Sequence, residues 1–187
     1  MSTELTEQLR ELYDALRTET RERWNRDLPL EELLFDRWER ARSLGFGEGS
    51  SIYHNSYVYG EVKVGRHTWI GPFTLLDGSG GLTIGDYNSI SSGVQIYSHD
   101  TVAWAVTSGV AETERAPVVI GDAVYVGAQT VIAKGVSIGE HSVIGACSFV
   151  NRDIPPYTVA AGVPCRPIGT VRLSRDGMAE LEYTERR

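Results

Sequence analysis

One histidine stands out by its place in the chain. The stretch "GVQIYSHDTVAWAVTSGVAETERAPVVIG" (residues 93–121) interrupts a six-residue rhythm that runs on both sides of it, and the interruption opens with Ser98, His99 and Asp100. A neutral imidazole titrates close to working pH, so a histidine at such a place suits general-base proton removal. The plain alternative is a loop histidine with no role. Asp100 beside it has three uses: to orient the ring, to contact a substrate, or simply to form a turn. The excursion over residues 98–117 is too long for an ordinary connection, and loops of that length usually carry function.

The elements that must hold this histidine follow from periodicity. Residues 1–46 read as helical: Leu5, Leu9, Leu12 and Leu16 make one apolar stripe, and a second helix is expected from Pro29 through "LEELLFDRWERARSL", capped at Gly45. From Ile52 the period becomes six. Ile52, Val58, Val64, Ile70 and Leu76 fall six apart; after a two-residue slip in "DGSGGLT" come Ile84, Ile90 and Ile96; after the excursion come Ile120, Val126, Ile132, Ile138, Ile144 and Val150. The next residue is often Gly, and the fourth residue on is small, polar or β-branched. Neither a helix nor an ordinary strand has this period. A chain that makes a short strand, turns sharply and repeats does, with three hexads closing a triangular coil and roughly five coils stacked about 4.8 Å apart. The aliphatic residue points inward, the second inward residue stays small, and Gly or a small polar residue is expected to permit the corner backbone. Three segments result: a helical segment over 1–46, a β-helix over 47–168 with its loop at 98–117, and a polar tail or short helix over 169–187.

Composition limits what this architecture serves. The net charge of -7 supplies no broad basic field for nucleic acid. Of 18 basic residues only Lys63 and Lys134 are lysines, and arginine forks suit a small phosphorylated ligand. No apolar run reaches the ~20 residues of a membrane span. The polar, acidic start reads as no signal peptide, so a cytoplasmic location is the default expectation. Cys147 and Cys165 are too few for a disulfide framework and are expected as packed thiols.

The hexads resemble the left-handed parallel β-helix of the hexapeptide acyltransferases. Within that family the segment "APVVIGDAVYVGAQTVIAKGVSIGEHSVIGACSFVNRDIPPYTVAAGVPCRPI" is most similar to galactoside and maltose O-acetyltransferases, and "DIPPYTVAAGVPCR" is its specific part. "WIGPFTLLDGSGGLTIGDYNSISSGVQIYSHDT" looks more like enzymes that acetylate sugars or nucleotide-linked sugars for surface polysaccharides. The fold class implied is mainly β, a left-handed parallel β-helix with an N-terminal α-helical segment. The left hand comes from the resemblance, since general crossover rules favour the opposite one.

The resemblance also implies a chemistry. Such enzymes use acetyl-CoA as acyl donor, need no metal, and assemble as homotrimers whose active sites lie between subunits. His99 matches the catalytic histidine, with Asp100 as its possible assistant. Ala128 and Ala146 match corners where small residues let the pantetheine arm approach. Asn151 and Arg152 match a Thr-Lys pair near the nucleotide end, and Arg166 matches an arginine that meets CoA phosphates. The loop over 98–117 becomes a flap reaching the neighbouring subunit. Trp104 in it stacks on a sugar face or pins the loop as an apolar anchor, and Tyr125 stands where the galactoside enzymes carry the aromatic of "VWIG". Three departures are visible: Ile70 replaces an Asn near the acceptor, Tyr125 replaces a Trp, and a second arginine after Arg166 is Gly169, with Arg172 the nearest substitute.

The function expected is therefore CoA-dependent acyl transfer to a hydroxyl or amino group of a sugar or nucleotide-linked sugar. Two alternatives share the prism. A γ-class carbonic anhydrase needs three histidines around one zinc, two of them close in sequence, and the four histidines here are widely spread. A silent assembly prism leaves the loop at His99 and the C-terminal motif without a purpose.

Overall fold

The computed structural model, which describes residues 3–184, turns the hexad series into one continuous core. Thirteen of the fourteen aliphatic residues are buried, and Val58 is partly buried against the same cluster. Each such side chain contributes roughly 1.5–3 kcal/mol by leaving water, but only because the next coil covers it.

Six coils stack into a left-handed triangular β-helix. The first holds β1 (Ser51–Ile52) and β2 (Tyr57–Val64); the second, β3 (Trp69–Ile70) and β4 (Leu75–Ile84). The third begins with β5 (Ser89–Ile90) and β6 (Gln95–Ile96). It is then interrupted by β7 (His99–Asp100), a one-turn helix over Val102–Val106 and β8 (Glu114–Arg115), and resumes at β9 (Val118–Ile120). The fourth holds β10 (Tyr125–Val126), β11 (Val131–Ile132) and β12 (Ser137–Ile138). The fifth holds β13 (Val143–Ile144) and β14 (Phe149–Val150), and β15 (Thr158–Ala161) starts the sixth.

Three parallel faces result. Face 1 is β1-β3-β5-β10-β13-β15; face 2 is formed by β2, β4, β6, β11 and β14; face 3 uses the far ends of β2 and β4, then β9 and β12. Register is kept from β4 through β6 and β11 to β14, so that Leu76, Ile96, Ile132 and Val150 stand in one column on face 2. The small polar residues at the second inward position tie coils together. Thr68 Oγ1 donates to Gly85 O at 2.9 Å, and Thr130 Oγ1 donates to Gly145 O at 3.1 Å.

The hexad glycines serve a purpose other than the one expected. The left-handed corner residue is the third after the aliphatic one, and side chains occupy it: Ala123 has φ 55° and Gln129 φ 60°. The glycine directly after the aliphatic residue is demanded by close approach instead. A Cβ on Gly127 would come 2.4 Å from Ala146 N in the next coil, a distance that no packing tolerates.

The ends differ from the sequence expectation. α1 (Thr3–Trp24) forms, and after it the chain turns back so that Asp27 accepts from Arg17 at 2.7 Å and Arg21 at 2.5 Å. The expected second helix is two: α2 (Leu30–Leu34) and α3 (Arg37–Ser43). Asp36 breaks them by capping α3, accepting from the N–H groups of Trp38 (2.8 Å) and Glu39 (2.9 Å). Arg40 then fastens α3 to the first coil through the carbonyls of Tyr53 and Ser56. The described part of the tail, up to residue 184, forms a hairpin and no helix, while 185–187 lie outside the described residues. β16 (Arg166–Leu173) pairs antiparallel with β15, and β17 (Ala179–Tyr183) pairs with β16, extending face 1. The one-turn helix of the loop, Val102–Val106, is α4.

Candidate active site

His99 lies where face 2 gives way to the excursion, and its ring is held by a residue from the coil before. His99 Nδ1 meets Asp77 Oδ2 at 2.6 Å. The Asp77 side chain is 1% exposed while that of His99 is 35% exposed, so a buried carboxylate grips an accessible ring. The two-residue slip in "DGSGGLT" produces this arrangement. It lengthens β4 between Leu76 and Ile84, shifts the β2–β4 register after Gly60, and leaves Asp77 turned inward beside Ser98. Gly80 completes the fit: it donates to Ser98 Oγ at 2.8 Å, and a Cβ there would strike Ser98 O at 2.3 Å.

Burial pushes the Asp77 carboxyl up, but the hydrogen bonds outweigh it. Ser79 N–H at 3.0 Å, His99 Nδ1 and Ser98 N–H at 2.9 Å hold its pKa well below the ordinary carboxylate range. An ionised Asp77 only accepts hydrogen bonds, so Nδ1 carries the imidazole proton and Nε2 keeps its lone pair. A lone pair at an accessible nitrogen is what proton removal from an incoming nucleophile requires.

Asp100 has a different partner. Its carboxylate is paired with Lys134, which also meets Glu114 Oε2 at 3.0 Å. The hydrogen bond from Lys134 and the N–H of Val102 lower the Asp100 pKa, and the two carboxylates raise that of Lys134. Since β7 and β8 pair His99 with Arg115 and Asp100 with Glu114, Lys134 staples both strands at the root of the loop. The orienting role that sequence offered to Asp100 is thus filled by Asp77, and the loop is anchored by Lys134; neither residue was singled out by the hexad pattern.

An open depression of about 420 Å³ runs along face 2 from the ring, lined by Tyr97, His99, Asp100, Val131, Lys134 and Phe149. The residues matched to CoA-binding positions border the same face. On its corner with face 3, His99 in the third coil is followed by Lys134 in the fourth and by exposed Asn151 and Arg152 in the fifth. On the opposite corner Ala128 and Ala146 stand one coil apart, joined by the 2.8 Å bond from Cys147 N–H to Ala128 O. At the far end, Cys165 N–H donates to Phe149 O at 2.8 Å, which brings Arg166 beside the last rung. Among the described residues Arg152 and Arg166 have no carboxylate partner, so both guanidinium groups are available to phosphate.

Two matched residues lie apart. Trp104 sits half-exposed on α4, and Tyr125 points outward from face 1, paired with Ser89 and Val143; neither lines the depression. Cys165 is buried as expected and burial raises its thiol pKa, whereas Cys147 is exposed at the corner next to Ala146. The remaining histidines lie against aromatics: His54 is tilted against Phe35 at 5.4 Å, while His67 stacks on Tyr87 and His141 on Tyr157, both at 4.9 Å. No three His, Cys, Asp or Glu side chains among the described residues gather in a metal-binding cluster.

Comparison with known proteins decides the family. The bacterial transferase hexapeptide model (six repeats) matches residues 117–152. A hexapeptide-repeat-containing acetyltransferase from Vibrio cholerae, solved in complex with acetyl-coenzyme A, is 32% identical; the match covers 90% of each chain with a TM-score of 0.63. The chain belongs to the hexapeptide-repeat acetyltransferases. Within that family it is 60% identical over 52 residues to the galactoside O-acetyltransferase of Escherichia coli K12, covering 28% of this chain and 26% of that enzyme. It is also 31% identical over 116 residues to an Escherichia coli dTDP-4-amino-4,6-dideoxy-D-glucose acyltransferase, covering 58% of this chain and 60% of that one. The chain thus aligns with less than two thirds of either relative.

Proposed function

We propose that this hexapeptide-repeat protein transfers an acyl group, acetyl in the simplest case, from coenzyme A to a hydroxyl or amino group of a sugar or nucleotide-linked sugar. The observation that carries this reading is the Asp77–His99 pair at the head of the face 2 depression. Asp77 holds the ring in the Nδ1–H tautomer; His99 Nε2 removes the acceptor proton as the acceptor attacks the thioester carbon, the C–S bond then breaks, and coenzyme A leaves as the thiol with the proton returned from Nε2. General-base assistance of this kind typically gives 10²–10⁴-fold.

Coenzyme A fits the residues present. Ala128 and Ala146 leave a corner without bulk, and Arg152 and Arg166 have no carboxylate partner among the described residues near the end of the same face. Their work is to bind and align the donor, which lowers the entropic part of the barrier. The relatives support both acceptor classes: one is named for a galactoside, the other for an amino sugar carried on dTDP. A homotrimer belongs to this reading, because a second prism laid against face 2 would turn an open depression into a cleft. It would also give Trp104 and Tyr125, which lie off the depression, a neighbouring subunit's acceptor site to reach. Use of acyl-CoA is in keeping with a cytoplasmic location; among the described residues no helix is long and apolar enough to cross a membrane.

The test is a screen of acetyl-CoA against free glycosides, amino sugars and nucleotide-linked sugars, reading thiol release and acetylated product by mass. Acceptor-dependent release from at least one of these is expected. Thiol release that no acceptor stimulates would remove the assignment.

A further inference from the structure

Between the helical segment and the first corner of the prism lies a second hollow, of about 350 Å³, which the transfer reading does not use. Three guanidinium groups border it: Arg23, Arg26 and Arg37. Among the described residues none of the three has a carboxylate partner. Arg23 lies over the Trp24 ring at 5.0 Å; Arg37 lies over the Trp38 ring at 4.2 Å and donates to Tyr53 Oη at 2.8 Å. Two carboxylates share the lining and accept backbone N–H groups, not guanidinium groups, among the described residues. Asp36 caps α3, and Glu32 accepts the N–H groups of His54 (2.5 Å) and Asn55 (3.3 Å). Three guanidinium groups against two carboxylates, Glu32 and Asp36, leave the lining with an excess of positive charge on a chain whose net charge is -7.

The same hollow leaves aromatic surface open to water. Trp24 is 61% exposed and Phe35 is 58% exposed. Partly exposed rings beside guanidinium groups that lack carboxylate partners match a ligand that is flat at one end and anionic at the other. Bases of any kind stack on aromatic faces, and the arginine fork fits phosphate oxygens in pairs. A plain sugar would use neither feature well, and inorganic phosphate would use only one.

We propose that this hollow binds a nucleoside phosphate, with the base against Trp24 and Phe35 and the phosphate among Arg23, Arg26 and Arg37. The inference goes beyond the transfer reading and does not depend on it. Two sources share the chemistry: a pyrimidine nucleotide, free or at the end of an acceptor, and the adenosine 3′-phosphate end of a coenzyme.

Calorimetric titration of the full chain with uridine 5′-monophosphate, adenosine 3′,5′-bisphosphate, uridine and inorganic phosphate tests it without any acyl transfer. At least one nucleotide should saturate, with uridine and phosphate each at least about tenfold weaker. Arg26→Ala should weaken that nucleotide about tenfold and leave uridine unchanged. Trp24→Leu should weaken nucleotide and uridine together. Both side chains are exposed, so neither change endangers the fold, and thermal melting checks this. Preference for the uridine nucleotide points to the first source, preference for the bisphosphate to the second. If neither nucleotide saturates, or if both variants bind like the parent chain, the proposal is overturned.

Discussion

The Asp77 carboxylate holds the His99 ring by a 2.6 Å bond that spans 22 residues of sequence and one coil of the prism. Exposed loops seldom fix a catalytic side chain by themselves. Here the loop residue is fixed by a buried anion that is itself bound by Ser79 and Ser98. Replacing Asp77 by Asn keeps the shape but removes the charge, and the amide is free to present its N–H to the ring and favour the wrong tautomer. Asp77→Asn should lower kcat by about a hundredfold or more while leaving the KM for acetyl-CoA within about twofold. His99→Ala should lose at least as much, and the double variant no more than His99→Ala alone. Additive losses would show that the two residues do not act as one unit.

Acid should expose the same bond. The folded-state pKa of Asp77 lies below its unfolded value, so the ionised carboxylate favours the folded chain. That contribution is complete above the ordinary carboxylate pKa of about 3.9 and is lost as pH falls from there through the folded value. Urea midpoints should therefore separate parent and Asp77→Asn most at neutral pH, and the gap should narrow below about pH 4. A constant gap from pH 7 to pH 3 would mean that the charge contributes nothing to folding.

Lys134 staples the root of the loop through Asp100 and Glu114. Lys134→Met leaves two carboxylates facing one another across the β7–β8 ladder. Because the groups are partly exposed, overall stability should change little. Limited proteolysis between Thr101 and Glu112 should nevertheless speed up several-fold, and combining Lys134→Met with Asp100→Asn should restore part of the protection. Unaltered cleavage would show that the loop is held elsewhere.

Arg166→Ala should raise the KM for acetyl-CoA about tenfold through loss of a charge-assisted phosphate contact. An acetylated pantetheine fragment, which lacks the nucleotide phosphates, should be used equally well by both proteins. Equal losses on both donors would place Arg166 in folding rather than in donor binding.

Much of this was legible in sequence, for physical reasons. Every coil needs a branched aliphatic residue at the same inward place, so Ile70, Ile90 and Ile144 announce the prism long before any contact is known. His99 was visible because a loop cannot leave a triangular coil without breaking the count. Asp77 was not, although a signal existed: it is the one acid in a position that elsewhere carries Gly, Ser, Ala, Asn or Tyr. The slip beside it looked like an irregularity to step over, while its purpose is to turn a carboxylate inward. Asp100 drew the role because it is adjacent, yet adjacency along a strand sends neighbouring side chains to opposite sides. The break at Asp36 was written as an Asp-x-x-Glu capping box, outweighed by the leucine periodicity around it. The C-terminal hairpin was hidden by polarity, since "RPIGTVRL" becomes a strand only against the edge that β15 offers.

The most direct measurement is the position of the donor carbonyl. In a crystal of the His99→Asn protein soaked with acetyl-CoA, superposed on the parent structure, the thioester carbon should lie in the face 2 depression. An acceptor atom must fit between that carbon and His99 Nε2, so the two should be separated by about 6 Å or less. A thioester more than about 10 Å from every His99 Nε2 of the assembly, or bound on another face, would contradict the role given to this histidine.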